Sequence, residues 1–307
     1  MLGSIWALLL FALPLTSLAS DPGKPFELIE LADGVYVHIG QHAEIDQHAR
    51  EDSANLGVVV GTQCVAIIDS GGSLAIGERF QAAVRRRTDK PICWVINTHI
   101  HFDHVLGNAS FFKTGATIIA HQALRESWPQ NESFFAEEFA DELQSNSGVA
   151  KLSGPSEFVE STRVIDLGDR QLRLEAHPPA HSGGDMTILD IKSNTLFAGD
   201  LLSRERMPVL DGSIKGWLTW MEQVQELQFN AVVPGHGGVD RRWPEGLQPQ
   251  LAYFRSLREN VRMLIDEGVF LEDAVTEIGP AILRNWQLHE RAHARNVSRT
   301  YRELEWD

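Results

Sequence analysis

The stretch His99-Ile100-His101-Phe102-Asp103-His104 gathers three imidazoles and a carboxylate into six residues of a 307-residue chain. Neutral imidazole and carboxylate both suit divalent metals, zinc above all. In extended backbone His99 and His101 lie two apart and project to one side. Asp103 and His104 follow where the chain can curl into a helix, which aims them beside the first pair. The plain alternative is a cluster of surface histidines with no metal. Three further residues of suitable type, His181, Asp200 and His236, each stand at the exit of a strand-like run beside glycine-rich or turning backbone. A lone histidine at a strand tip carries little meaning, but loops leaving a rigid sheet are where sites are built.

These residues need strands to carry them. Ile92 to Asn97 is an apolar run bounded by Pro91 and delivers the histidine-rich loop. Cys64 to Asp69 is a strand before it, whose tip residue Asp69 is placed to accept a hydrogen bond from a metal-bound imidazole. Between them, Leu74 to Thr88 has helical spacing and ends in Arg85-Arg86-Arg87, charges that complement the helix dipole. Phe26 to Leu31 and Val35 to Ile39 flank Asp33-Gly34 as a hairpin. Asn55 to Gly61 and Thr117 to His121 are further strands, with His121 read as structural. Ser133 to Ser145 is expected to be a helix with Phe134, Phe135 and Phe139 on one apolar face, packed or serving as a lid. Arg163–Leu167 with Leu172–His177 forms a second hairpin. Met186–Ile191, then Thr195–Ala198 closed by Gly199-Asp200, then Ala231–Val233 are short strands. Helical pattern follows from Trp243 onward.

Composition bounds the rest. With 43% hydrophobic and 22% charged residues the chain is ordinary globular protein. A net charge of -15 excludes the basic patches that nucleic acid and anionic membranes require, and disfavours a strongly anionic substrate unless the pocket is locally positive. Residues 1–19 read as a secretory leader, with an apolar run from Ile5 to Leu15 and small residues Ser17 and Ala19 before the expected cut. The mature protein is then periplasmic or secreted. Cys64 and Cys93 are read as small buried hydrophobes rather than a bridge.

Taken in order, Asp69, the His99–His104 motif, His181, Asp200 and His236 resemble the motif set of the metallo-β-lactamase superfamily. The resemblance implies an αββα four-layer sandwich, two mixed sheets flanked by helices, as a single domain over residues 20–307 with C-terminal helices from 243. It implies that His99, His101 and His181 hold one metal, that Asp103, His104 and His236 hold a second, and that Asp200 bridges them. Two zinc ions are expected, with one iron or a mixed divalent pair as alternatives. The aspartate at position 200 resembles the glyoxalase II-like branch, where the better-known zinc β-lactamases carry cysteine.

The polar loop His42–Asn55, the segment Met207–Trp217 and the leader together look like the zinc metallohydrolases of quinoprotein relay systems. The activity implied is hydrolysis of a thioester, ester or lactone by a water activated between two cations, with Asp103 as the catalytic residue that orients it. Alternatives are a mononuclear iron persulfide or thiol oxygenase, a β-lactam hydrolase, and a non-catalytic metal- or cofactor-binding accessory protein. Neither Ser182 nor Ser203 has an evident base, so no side-chain nucleophile is expected. Arg204, Arg206, Lys215 and Trp217, just after Asp200, are the candidate substrate contacts. The expected partner is a small molecule; the oligomeric state is left open.

Overall fold

The computed structural model describes residues 26–43, 51–146, 148–149, 151–278, 283 and 286–307. The expected leader and residues 44–50 of the polar loop lie outside the described residues. Among the described residues the strands run β1 (Ile29–Ala32), β2 (Val35–His38), β3 (Leu56–Val60), β4 (Val65–Ile68), β5 (Ile92–Ile96), β6 (Thr117–His121), β7 (Gln144–Ser145), β8 (Gly148–Val149), β9 (Glu157–Val159), β10 (Thr162–Asp166), β11 (Gln171–His177), β12 (Asp185–Asp190), β13 (Thr195–Ser203) and β14 (Ala231–His236). Helices are α1 (Leu74–Arg85), α2 (Phe102–Val105), α3 (Asn108–Phe111), α4 (Leu124–Glu138), α5 (Ile214–Val224), α6 (Gln248–Asp266), α7 (Leu271–Glu277) and α8 (His289–Leu304). None of these is long and apolar enough to cross a membrane.

Two mixed sheets result, ordered β1-β2-β3-β4-β5-β6-β9 and β10-β11-β12-β13-β14; β7 and β8 pair separately. Residue alternation along the strands decides how they stack. In β4, Ala66 and Ile68 join Val35, Val59 and Ile96 in a core shared with Leu172, Leu174, Ile188 and Phe197 of the second sheet. Their neighbours Val65 and Ile67 face the other way, onto Phe80 and Val84 of α1 and Phe111 of α3. The second sheet's outer face, with Leu196, Ala198 and Val232, meets Trp217, Met221, Phe254, Leu257 and Val297 from α5, α6 and α8. Period-two patterning with apolar residues on both faces thus gives helix, sheet, sheet, helix. That is the expected αββα sandwich.

Several boundaries differ from those read in the sequence. Strand β13 does not stop at Gly199-Asp200: it continues to Ser203, every residue buried, with a register irregularity around Gly199 at φ 52°. A glycine in left-handed backbone reads as a turn, but here it is a bulge inside a buried strand. Helix α4 begins nine residues before Ser133, because Leu124 and Trp128 bury one turn apart in the core beside Phe135 and carry the helix through Pro129. Phe135 and Phe139 are buried there, whereas Phe134 is 53% exposed and departs from the expected shared face. The arginines closing α1 do more than complement its dipole: Arg86 and Arg87 donate to the carbonyls of Phe26 and Leu28 and tie down the first strand's approach. Cys64 and Cys93 are unbonded. Burial, then contact with Cys93, pushes the Cys64 thiol up to about 12.

Candidate metal centre

The two sheets are stitched together at the edge where their functional loops emerge. Asn55 donates from its backbone to Gly235 O at 2.8 Å and from its side chain to Pro234 O and Gly237 O, both at 2.8 Å. Met186 N donates to Thr98 O at 2.7 Å. These bonds bring the loop after β5, with His99 and His101, and helix α2, with Asp103 and His104, against the β11–β12 loop with His181, the bulged part of β13 with Asp200, and the end of β14 with His236. Gly235 permits the last approach: a Cβ there would stand 1.8 Å from Asp200 Oδ1.

The side chains form two groups that could hold a metal ion, His99, His101, His181 and Asp200, and Asp103, His104 and His236. Asp200 also reaches the second group, with Oδ1 3.2 Å from His104 Nε2 and Oδ2 3.2 Å from His236 Nε2. Which nitrogen each imidazole offers follows from the partner on its other side. His104 Nδ1 donates to Asp69 Oδ2 at 2.8 Å, His181 Nδ1 to Val209 O at 2.7 Å and His236 Nδ1 to Ser53 O at 2.8 Å. All three partners accept only, so each ring carries its hydrogen on Nδ1 and turns a bare Nε2 inward. His99 Nδ1 meets Thr98 Oγ1 at 3.0 Å, whose own hydrogen is committed to Asp69 Oδ2, so here too Nε2 is bare. In His101 the roles reverse: Nε2 sits 3.0 Å from Asp211 Oδ2 and leaves Nδ1 free.

Five lone pairs therefore converge with two carboxylates. His181 Nε2 and His101 Nδ1 face each other at 3.0 Å with no proton to share in these tautomers. Buried His99 Nε2, His104 Nε2 and Asp200 Oδ1 make no hydrogen bond among the described residues. Orphaned acceptors at this density call for cations, so the residues present fit divalent metal.

Where no cation binds, the same carboxylates favour a proton on His104 and His101 in its place. Burial would raise Asp200, but the imidazoles of His236, His104 and His99 outweigh it and hold the carboxyl well below its usual range. Burial likewise opposes a charge on His104, yet Asp200, Asp69 and Asp103 drive its pKa well above the ordinary value. Burial and the neighbouring His104 hold His99 well below it. Asp103 accepts from Ser53 Oγ at 2.7 Å on Oδ2, which sets the rotation of its carboxylate.

The candidate substrate contacts separate cleanly. Arg206 lines the cavity over the centre. Arg204 does not; its guanidinium donates to Gly238 O at 2.7 Å and braces the loop after β14. Lys215 is a correction: it pairs with Asp307 at 2.6 Å on the exposed side of α5 and does not line the cavity. Trp217 is a second correction, fully buried, donating to Leu201 O and packing edge-on to His181 at 5.3 Å. It supports a ligand instead of meeting substrate. Asp69 stands where the sequence placed it, against His104. Ser53, Val209 and Asp211 were missed, and two of them act through backbone carbonyls that leave no sequence signature. Ser182 Oγ and N both donate to the Asp185 carboxylate, which closes the loop, and Ser203 Oγ donates to Arg206 O, so neither hydroxyl meets an imidazole.

A sandwich with two adjoining metal-ligand clusters at one edge defines the class, and the comparisons supply the family. The family model described as the metallo-beta-lactamase superfamily matches residues 49–236, more than half of the chain. The chain belongs to that superfamily. A metallo-β-lactamase family protein of Thermus thermophilus superposes with TM-score 0.65 at 17% identity, over 90% of this chain and 94% of that one. A metallo-β-lactamase from Pontibacter korlensis gives 0.58 at 17% identity, over 75% and 98%. A stereoselective inverting sec-alkylsulfatase from Pseudomonas sp. gives 0.69 at 17% identity, over 91% of this chain but 50% of that longer one. No curated protein sequence matches the chain.

Proposed function

We propose that this chain is an exported, zinc-dependent hydrolase that cleaves an ester, thioester or lactone with two metal ions. The carrying observation is the set of five bare imidazole nitrogens, each fixed by a hydrogen bond on its far side, closing on two carboxylates of which Asp200 serves both clusters. His99, His101 and His181 would hold one ion, Asp103, His104 and His236 the other. Bound there, the ions would supply Lewis acidity and a water activated near neutral pH. The protein's own part is positioning. Asp103, its rotation set by Ser53, presents a carboxylate oxygen to orient that water and take its proton. Arg206, with Nη1 4.0 Å from Asp103 Oδ2, places a cation beside the centre where it can contact substrate. The intact second cluster favours two ions over a single iron. The leader and the Met207–Trp217 segment favour the quinoprotein relay branch and a periplasmic or secreted location.

Metal analysis of the purified mature protein, with a panel of thioesters, esters, lactones and lactams, tests this reading. Two zinc ions per chain and turnover on the acyl substrates are expected, with metal and activity lost together in His101→Ala and Asp200→Ala. One iron per chain would favour oxygenation, and a zinc-replete protein inert on the whole panel would favour a binding role. Full activity in a metal-depleted variant would end the reading.

A further inference from the structure

The ligands say which bond-breaking chemistry is at hand; the cavity above them says what kind of molecule arrives. It encloses about 440 Å³, within the range of small-molecule sites. One wall is apolar, built by Phe102, Phe134, Phe135 and Phe139 with Met207 and Val209. Phe102 stacks on Phe139 at 4.9 Å, and Phe134 and Phe135 meet Phe139 edge-on at 6.1 and 5.8 Å. Phe134 is the telling member. It is 53% exposed and lines the cavity, so the core does not need it.

Arginines contribute the opposing character. In a chain of net charge -15, Arg206, Arg291 and Arg295 all line this one cavity. Arg295 is paired with Asp211. Arg206 is not matched so well. Its Nη1 lies 3.0 Å from His236 Nδ1, a nitrogen already donating to Ser53 O and unable to accept, and 3.4 Å from Nε2, an acceptor that a metal would take over. The nearest carboxylate oxygen among the described residues, Asp103 Oδ2, is 4.0 Å away, too far for a hydrogen bond. If Asp103 ligates a metal, that carboxylate is further committed, and a partly buried guanidinium beside the centre remains open to an anion. Asp103, Asp200 and Asp211 line the same cavity, so the cationic character is local to the Arg206 guanidinium and is not a net positive field.

We infer that the substrate is amphiphilic, an acyl compound carrying both a medium-length apolar group, which lies along the Phe102–Phe134–Phe139 wall, and an anionic group, which Arg206 holds. The acyl bond in this inference rests on the hydrolase reading; the amphiphilic character rests on the cavity alone, and a binding experiment separates the two. Butane-, hexane- and octanesulfonate, with neutral octyl glucoside as control, are titrated calorimetrically into the zinc-loaded protein.

One-site binding of the sulfonates is expected, tightening about fourfold for each added methylene. Phe134→Ser, at an exposed position that folding tolerates, should weaken octanesulfonate about tenfold and flatten the chain-length dependence. Arg206→Gln should weaken the sulfonates but not octyl glucoside, and Arg206→Lys should restore part of the difference. Affinity independent of chain length, an unaltered Phe134→Ser, or equal effects of Arg206→Gln on charged and neutral probes would each overturn the inference. An acyl panel without turnover, beside intact amphiphile binding, would instead count against hydrolysis.

Discussion

Replacing Asp69 by asparagine tests whether the centre is built from outside its ligands. Asp69 is 2% exposed and accepts three hydrogen bonds, from Thr98 N, Thr98 Oγ1 and His104 Nδ1, each at 2.8 Å. Its backbone sits at φ 57°, a region asparagine tolerates, and the two side chains have one shape. Asp69→Asn keeps the acceptor for Thr98 N but places an amide donor against the Nδ1 hydrogen of His104. The ring can escape only by moving its hydrogen to Nε2, the atom that must be bare to ligate. Loss of a partner behind a metal-bound histidine lowers metal affinity about 10–100-fold, or about 1.4–2.8 kcal/mol. Because Asp69 holds His104 directly but reaches His99 only through Thr98, the larger loss should fall on the zinc-binding step of His104, Asp103 and His236 and a smaller one on the other. Competition titration with a chromophoric chelator resolves both steps, and unfolding in excess chelator separates simple destabilisation from weakened ligation. Two unchanged dissociation constants would refute the reasoning, as would equal weakening of both.

Gly235→Ala should disable the centre with every ligand residue kept, because the added Cβ would meet Asp200 Oδ1 at 1.8 Å and Asp200 N at 2.8 Å. Less than two zinc per chain, lost turnover and about 1–3 kcal/mol of lost stability are expected from metal analysis and denaturant melts. Acid should destabilise the fold through His177, which burial and then its neighbour His121 lower from 6.5 to about 4. The unfolded chain takes up a proton below pH 6.5 that the native ring refuses, so stability present above that pH is lost as pH falls toward 4. At pH 5 the loss is about 2 kcal/mol relative to pH 7.5. Urea midpoints at the two pH values should show it, and His177→Gln should reduce the difference by that amount.

What could be read in the chain before the structure was known divides along a physical line. Ligands are legible because their chemistry requires particular side chains, and the strands beneath them because alternation records which face is buried. His99 to His104, His181, Asp200 and His236 stood out by type and position at strand ends, and the resemblance to the superfamily's motif order assigned them to two ions. Asp69 apart, the groups that orient those ligands were hidden for two reasons. Ser53 and Val209 act through carbonyl oxygens, which every residue possesses, and Asp211 reaches His101 across a separation that no local pattern spans.

Lys215 and Trp217 were misread for the opposite reason, that nearness in sequence to Asp200 was taken as nearness in space. Helix α5 starts at Ser213 and gives those two side chains different environments: an exposed ion pair with Asp307 for one, the core behind His181 for the other. The segment between Asp200 and α5 instead serves the site through Arg206, Val209 and Asp211, and it is α8 that holds it in place. Asn296 donates to Pro208 O and accepts from Leu210 N, both at 2.8 Å, while Glu303 accepts from Ser213 Oγ at 2.7 Å. The C-terminal helix, which contributes no ligand, thus bears on the orientation of both His101 and His181. Weakening its grip at Asn296 should disturb chiefly the cluster that Asp69→Asn affects less.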